Sequence, residues 1–278
     1  MPLAIALRRT VIGTFDRSTD VSKLVGCNTR NVPYRWRIFS DYLKNAPSGA
    51  AVLDVGAGSL RDTWEMAKLG YRVTALDLDL DLMRRYAALY DWSNFPPPTL
   101  TTGPFSNLPA SSFAFATAFD VIEHLEQPQD QLGEIARTLV PSGILLCSVP
   151  NRRTLSEQAQ KWNLRQARKH NRKLPPGAPH LQFRSPGEWW KFFESNGFRV
   201  VAHDMAIGPI VNTWHSGIQY ALVLGKRAIP VNVDRLLNVL APPLLMRSFD
   251  VVDRATKFAS KPLYGWNLFV LQRHRINW

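Results

Sequence analysis

Residues 51–62 read AVLDVGAGSLRD. Val52, Leu53 and Val55 favour a strand, Gly56-Ala57-Gly58 breaks it, and a helical pattern follows, so the stretch spells strand, tight turn and helix start. Glycines at such a turn let a ligand approach the backbone, and the first N–H groups of the new helix offer an electropositive end. Asp54 narrows the choice of ligand. A carboxylate beside this turn repels a pyrophosphate and suits a molecule with an ammonium or another cationic centre. The dinucleotide fingerprint needs a third glycine where Arg61 stands, and the chain contains no Tyr-x-x-x-Lys pair of a short-chain reductase.

Working outward, apolar residues at helical spacing (Tyr34, Ile38, Phe39, Tyr42, Leu43) predict a helix that Pro47-Ser48-Gly49 ends just before the first strand. Beyond the turn, a helix is expected from Leu60 to Leu69 with Gly70 closing it, then a strand from Tyr71 to Leu76 ending in Asp77. A helix from Asp79 to Tyr90 and a weak strand in a proline-rich link come next. Phe113 to Phe119 predicts a fourth strand, Pro128 to Val140 a helix, and Pro141-Ser142-Gly143 a turn into a fifth strand, Ile144 to Val149. Ser185, Pro186 and Glu188 mark another helix start, Phe198 to Ala202 a sixth strand, and Tyr264 to Gln272 the last. This alternation predicts an α/β fold, a doubly wound, mostly parallel seven-stranded Rossmann-like sheet that binds ligands at the carboxyl ends of its strands. The expected organisation is an N-terminal helical segment, 1–47, before a single domain over 48–278 with insertions at 151–184 and 205–262.

With 45% hydrophobic and 20% charged residues in 278, the chain falls in the globular class. Cys27 and Cys147 are far apart and make neither a disulfide framework nor a metal-ligand spacing, so no metal is expected. The opening MPLAIALRRT lacks the order of a signal peptide, and no apolar run approaches the roughly 18 residues a spanning helix needs. A cytoplasmic protein, or one peripheral at a membrane, is therefore expected. The net charge of +12 points to an anionic partner. Most of it lies in 151–184, where nine Lys and Arg residues face Glu157 alone, a net +8. There Thr154 and Glu157 form a capping-box pattern, and Lys161, Arg165, Arg168, Lys169 and Arg172 recur on one helical face beside a strip of Leu155, Ala159 and Trp162. Such a helix over 152–173 suits an anionic membrane surface, an acidic small molecule or, with less support, RNA. The apolar insertion 205–262 is expected to roof the site as a cap or to form a homodimer surface.

Asp54, Gly56 and Gly58, the acid Asp77 at the next strand end, and then FDVIEHL and LVPSGILLCSVPN in that order resemble the class I S-adenosylmethionine-dependent methyltransferases. The IEHL and VPN stretches are most similar to the branch with ubiquinone-biosynthesis O-methyltransferases and natural-product and sugar methyltransferases. The resemblance covers about residues 48–204 and the final strand. It implies that Asp54 and the backbone of Gly56, Ala57 and Gly58 hold the methionine part of S-adenosyl-L-methionine, that Asp77 accepts the ribose hydroxyls, that Leu78 lies against adenine, and that Asp120 and Ile122 line the floor under the sulfonium. The family's acid before its Leu-Pro pair is absent here, since Gly103-Pro104-Phe105 precedes Leu108-Pro109, which leaves the adenine contact to the backbone of Phe105 or Ser106.

Methyl transfer to a hydroxyl needs a base. His124, at the strand end beside the cofactor, is the first candidate and His180 the second. The expected function is methyl transfer to oxygen of a small, partly apolar or anionic acceptor that is lipid-, quinone- or sugar-like. The alternatives are an RNA methyltransferase and a non-catalytic cofactor-binding or scaffold protein.

Overall fold

The computed structural model describes residues 47–170, 179–210 and 263–274, with Phe39, Tyr42, Leu43, Thr213 and most of 251–257. The N-terminal segment expected over 1–47 and the cap or dimer surface expected over 205–262 lie largely outside the described residues.

Among the described residues, seven strands form one sheet in the order β3-β2-β1-β4-β5-β7-β6. They are β1 (Ala51–Val55), β2 (Arg72–Leu76), β3 (Thr99–Thr101), β4 (Phe113–Phe119), β5 (Leu139–Pro150), β6 (Phe198–Ala206) and β7 (Trp266–Arg273). β1 to β5 pair parallel with one another, whereas β7 runs antiparallel to both β5 and β6. The connecting helices are α1 (Arg61–Lys68), α2 (Leu80–Ala87), α3 (Pro128–Thr138), α4 (Leu155–Lys169) and α5 (Pro186–Glu194).

Side chains alternate across the strands and feed two cores. Leu53, Val55, Phe269 and Leu271 face Leu132 and Ile135 of α3 and Trp189 and Phe193 of α5. Val52, Val73, Leu268 and Val270 face Met66 and Ala67 of α1 together with Phe39 and Leu43. Both faces of the sheet are covered, which is why its strands read as nearly continuous apolar runs. Each fully buried Leu, Val or Phe contributes about 1.5–3 kcal/mol.

The structure redraws one boundary. The predicted turn Pro141-Ser142-Gly143 lies inside a single 12-residue strand, and α3 stops at Thr138. Phe113 pairs with Leu139 and Phe115 with Ile144, so 140–143 bulge out against a single residue of β4. Ser142 takes a left-handed φ of 63°, and a Cβ on Gly143 would press on the Val140 carbonyl at 2.9 Å. The turn-forming residues are there, but they make a bulge rather than an end to pairing. β6 also runs to Ala206, four residues past its predicted end.

Strand order reverses between β1 and β4, so the crevice at their carboxyl ends is the ligand position of a doubly wound sheet.

Candidate active site and the family it defines

The glycine turn is built by packing as much as by backbone freedom. Gly56 has φ 70°, and a Cβ there would overlap the Val121 side chain, which comes from the turn after β4. The turns after β1 and β4 thus close on each other only because residue 56 has no side chain. Gly58 (φ 44°) faces open space instead, its nearest neighbour for an added Cβ being the Gly56 carbonyl at 3.8 Å. Leu60 also takes a left-handed φ, 58°, without being glycine. That conformation costs about 1–2 kcal/mol. Its side chain is fully buried with Ala57, Ala75, Met83 and Tyr86, which contributes about 1.5–3 kcal/mol, so burial outweighs strain.

Asp54 lies beneath this turn. Its carboxylate is 3% exposed and accepts hydrogen bonds from Thr63 Oγ1 of α1 (2.5 Å) and Thr117 Oγ1 of β4 (2.7 Å). Burial, and then the nearby Asp62, push its pKa up to about 7 against the ordinary 3.8, although both threonine bonds pull the other way. The side chain ties three elements together under the turn, and Gly56, Ala57 and Gly58 provide the surface above it. Thr63 and Thr117 were not singled out in the sequence. Thr117 is legible only once β1 and β4 are paired, where it falls opposite Asp54.

Asp77 projects from the end of β2, half-buried. One carboxylate oxygen accepts the Gly58 N–H at 2.9 Å and the other accepts the Asp79 N–H at 3.1 Å. A carboxylate accepts only, with about four lone-pair positions, so it retains capacity for two hydroxyl donors. Leu78 next to it is 39% exposed, an apolar surface beside an acid. Phe105 is half-buried, and its carbonyl already accepts from Arg137 Nη2 at 2.7 Å. Asp79 begins α2 as its N-cap, accepting from the Leu82 N–H at 2.8 Å.

Beyond β4, Asp120 takes a left-handed φ of 57°. Its Oδ1 accepts from Ser148 Oγ of β5 (2.6 Å) and from Trp266 Nε1 of β7 (2.7 Å). Ile122 is fully buried in the core cluster, so it supports this floor from beneath. Glu123 is fully buried, and its carbonyl accepts the N–H groups of Leu181 (2.7 Å) and Gln182 (3.0 Å). A strap over 179–184 is thereby laid across the end of β4. Gln182 Nε2 donates to the Leu125 carbonyl, and the Arg184 guanidinium lies over the Trp189 and Phe192 rings at 4.9 and 4.2 Å.

The strap brings together both histidines identified in the sequence. Their rings meet edge to face at 4.9 Å between centroids, and donor atoms of Glu123, His124 and His180 all lie within 4.8 Å of one another. His124 Nδ1 faces the Pro179 carbonyl at 3.1 Å, and His180 Nδ1 faces Glu157 Oε2 at 2.9 Å. Because those partners only accept, Nδ1 carries the proton in each neutral ring and Nε2 keeps its lone pair. Burial, followed by the neighbouring His180, pushes the His124 pKa down to about 4, so this ring is neutral at physiological pH.

On α4 the structure shows which way the apolar strip faces. Leu155 (70% exposed) and Trp162 (59%) face outward, on the same side as Arg165 and Lys169, and the buried positions are Glu157, Leu164 and Ala167. The capping box is half formed. Thr154 Oγ1 accepts the Glu157 N–H at 3.4 Å, but the Glu157 carboxylate has turned to His180.

The seven-stranded sheet with an antiparallel β7, the glycine turn over Asp54 and the acid at the end of β2 together define the class I methyltransferase fold. An open cradle at Gly58, an acceptor-only carboxylate at Asp77 and an exposed apolar Leu78 fit the amino acid, ribose and adenine parts of S-adenosylmethionine. The methyltransferase-domain family matches residues 29–203, and the chain belongs to this family of S-adenosylmethionine-dependent methyltransferases. It is 30% identical over 157 residues to the ubiquinone biosynthesis O-methyltransferase of Xanthomonas axonopodis pv. citri, covering 55% of this chain and 64% of that protein. It is 27% identical over 132 residues to the mitochondrial ubiquinone biosynthesis O-methyltransferase of Schizosaccharomyces pombe, covering 46% and 47%. The chain spans about half to two thirds of the length of these relatives. Phosphoethanolamine N-methyltransferase 2 of Haemonchus contortus, solved with S-adenosyl-L-methionine, shares the fold with a TM-score of 0.55 at 15% identity over 87% of this chain and 53% of that one.

Proposed function

We propose that this protein transfers the methyl group of S-adenosylmethionine to a hydroxyl oxygen of a small, partly apolar or anionic acceptor of lipid-, quinone- or sugar-like chemistry. The observation that carries this reading is the pair His124 and His180, each with Nδ1 tied down, at the strand end next to the cofactor turn. The cofactor supplies a methyl group already activated by a good leaving group, so the protein's work is alignment, exclusion of water and removal of the acceptor's proton. A paired imidazole with an unprotonated Nε2 is equipped for the last of these. The names of the ubiquinone O-methyltransferase relatives support oxygen as the target.

The test is to incubate the protein with methyl-labelled cofactor and panels of phenolic, lipid and sugar acceptors. Label in a methyl ether is expected, and label only in RNA would favour the RNA methyltransferase reading. Replacing the base by alanine should lower turnover by roughly 10²–10⁴-fold. If His124→Ala and His180→Ala each stayed within a few-fold of wild type, neither histidine would be the base.

We further propose that the outer face of α4 docks on an anionic membrane, placing the site near an apolar acceptor. Leu155 and Trp162 interleaved with Arg165 and Lys169 match an interfacial helix, and among the described residues no helix is long and apolar enough to cross a membrane. The protein is expected to float with vesicles containing phosphatidylglycerol but not with pure phosphatidylcholine. Arg165→Glu combined with Lys169→Glu should abolish flotation; unchanged flotation would exclude this face.

A further inference from the structure

We propose that Glu157 is the positioning residue for the proton acceptor and that it makes His180, rather than His124, the working base of the pair. The proposal rests on the hydroxyl-methylation reading above and deepens it. In the whole basic stretch 151–184, Glu157 is the single acid, and α4 turns it inward while the cations stay outside. It is 2% exposed. A buried carboxylate is destabilising unless it is paired and hydrogen-bonded. Its Oε2 accepts the Nδ1–H of His180 at 2.9 Å, and its Oε1 lies 3.5 Å from Gln160 Nε2.

The alternative role, capping α4, does not engage the side chain, because Thr154 caps that helix through the backbone N–H of residue 157. His124 has a weaker arrangement. Its Nδ1 bonds to a neutral carbonyl, the nearest carboxylate, Glu123, stands 3.9 Å from Nε2, on the side where a substrate proton would have to enter rather than behind the ring, and the ring is held neutral. The groups facing His180 are Glu157 from α4 and Glu123 and His124 from the turn after β4.

In the step, a lone pair of the acceptor hydroxyl oxygen forms the bond to the methyl carbon as the carbon–sulfur bond breaks and its pair stays on sulfur. The hydroxyl proton passes to Nε2 of His180. Glu157 faces the imidazolium so formed, and the ring returns its proton to water after product leaves. A carboxylate fixed on the far nitrogen sets the tautomer, holds the ring plane and opposes the new charge, the logic of an orienting acid behind a histidine base.

The test has two arms, both on the full chain. In the first, ring nitrogen and proton NMR spectra of the wild-type protein saturated with S-adenosylhomocysteine should show His180 protonated at Nδ1, with that proton shifted far downfield. The signal should move upfield in Glu157→Gln and return in Glu157→Asp. The opposite tautomer, or a signal indifferent to Glu157→Gln, overturns the proposal without any need for turnover. In the second arm, with catechol as the hydroxyl probe, Glu157→Gln should lower kcat roughly 10–100-fold, with KM for the cofactor and affinity for S-adenosylhomocysteine unchanged and most of the rate restored by Glu157→Asp. A loss of affinity matching the loss of rate, or an unchanged kcat, overturns it. Wild-type transfer to nitrogen acceptors alone, with the first arm as expected, would defeat the hydroxyl reading while keeping Glu157 as the residue that orients His180.

Discussion

Asp77→Ala is expected to weaken binding of S-adenosylmethionine and S-adenosylhomocysteine by about 10²–10⁴-fold, because two charge-assisted hydrogen bonds are lost at about 1.5–3 kcal/mol each. The carboxylate is half-exposed at the end of β2 and already holds the Gly58 N–H at 2.9 Å, so its removal also frees the glycine turn. Because the side chain is not in either core, the melting temperature of the free protein should fall only by what its bonds to the Gly58 and Asp79 N–H groups contribute, about 1–3 kcal/mol or a few degrees. Asp77→Asn keeps one acceptor oxygen and should fall between the two. Calorimetric titration with S-adenosylhomocysteine decides the matter. A loss smaller than about tenfold would mean the ribose is held elsewhere.

The second large effect concerns stability and pH. Asp54 has a pKa raised from 3.8 to about 7 in the folded protein, chiefly by burial. A raised carboxylate favours folding in its protonated form. Its stabilising contribution is complete below pH 4, declines as pH rises, and is lost above the folded pKa near 7. A shift of about three units at 1.36 kcal/mol each corresponds to about 4 kcal/mol between the two ends of that window. Asp54→Asn imitates the protonated group and cannot ionise. The variant should match wild type at pH 4 and below, and unfold at higher temperature than wild type near pH 8, by about 10 °C for a domain of this size. Parallel melting curves for the two proteins across that range would refute the account.

Much of the scaffold was legible because each local signal agreed with the next. The glycine turn, Asp77 and the alternation of apolar runs state the parallel half of the sheet. Where legibility failed, the cause was a partner far away in sequence. Nothing near Asp120 announces that Trp266 will donate to it, and nothing in the capping-box spacing of Thr154 and Glu157 says that the acid will leave the helix end for a histidine 23 positions on. The strip of Leu155 and Trp162 is legible as a strip, but helical periodicity gives a face and not what covers it, and only the structure shows that face turned outward. Leu60 is a different case. A position where glycine would be unstrained holds a leucine because the pocket beneath it rewards a side chain more than the backbone resists.

The antiparallel strand β7 has a consequence for how the protein is made. It lies between β5 and the edge strand β6, yet among the described residues it is the last strand in chain order. On the ribosome, β1 to β5 can pair as they emerge, but β5 and β6 wait with unpaired edges until 266–273 arrives. Only then does Trp266 reach Asp120, 146 residues behind it, and lock the floor of the site. The glycine turn is therefore written early and this side of the sheet completed late, so a nascent chain holds exposed, β-prone edges at β5 and β6 until β7 is made, an interval open to non-native pairing.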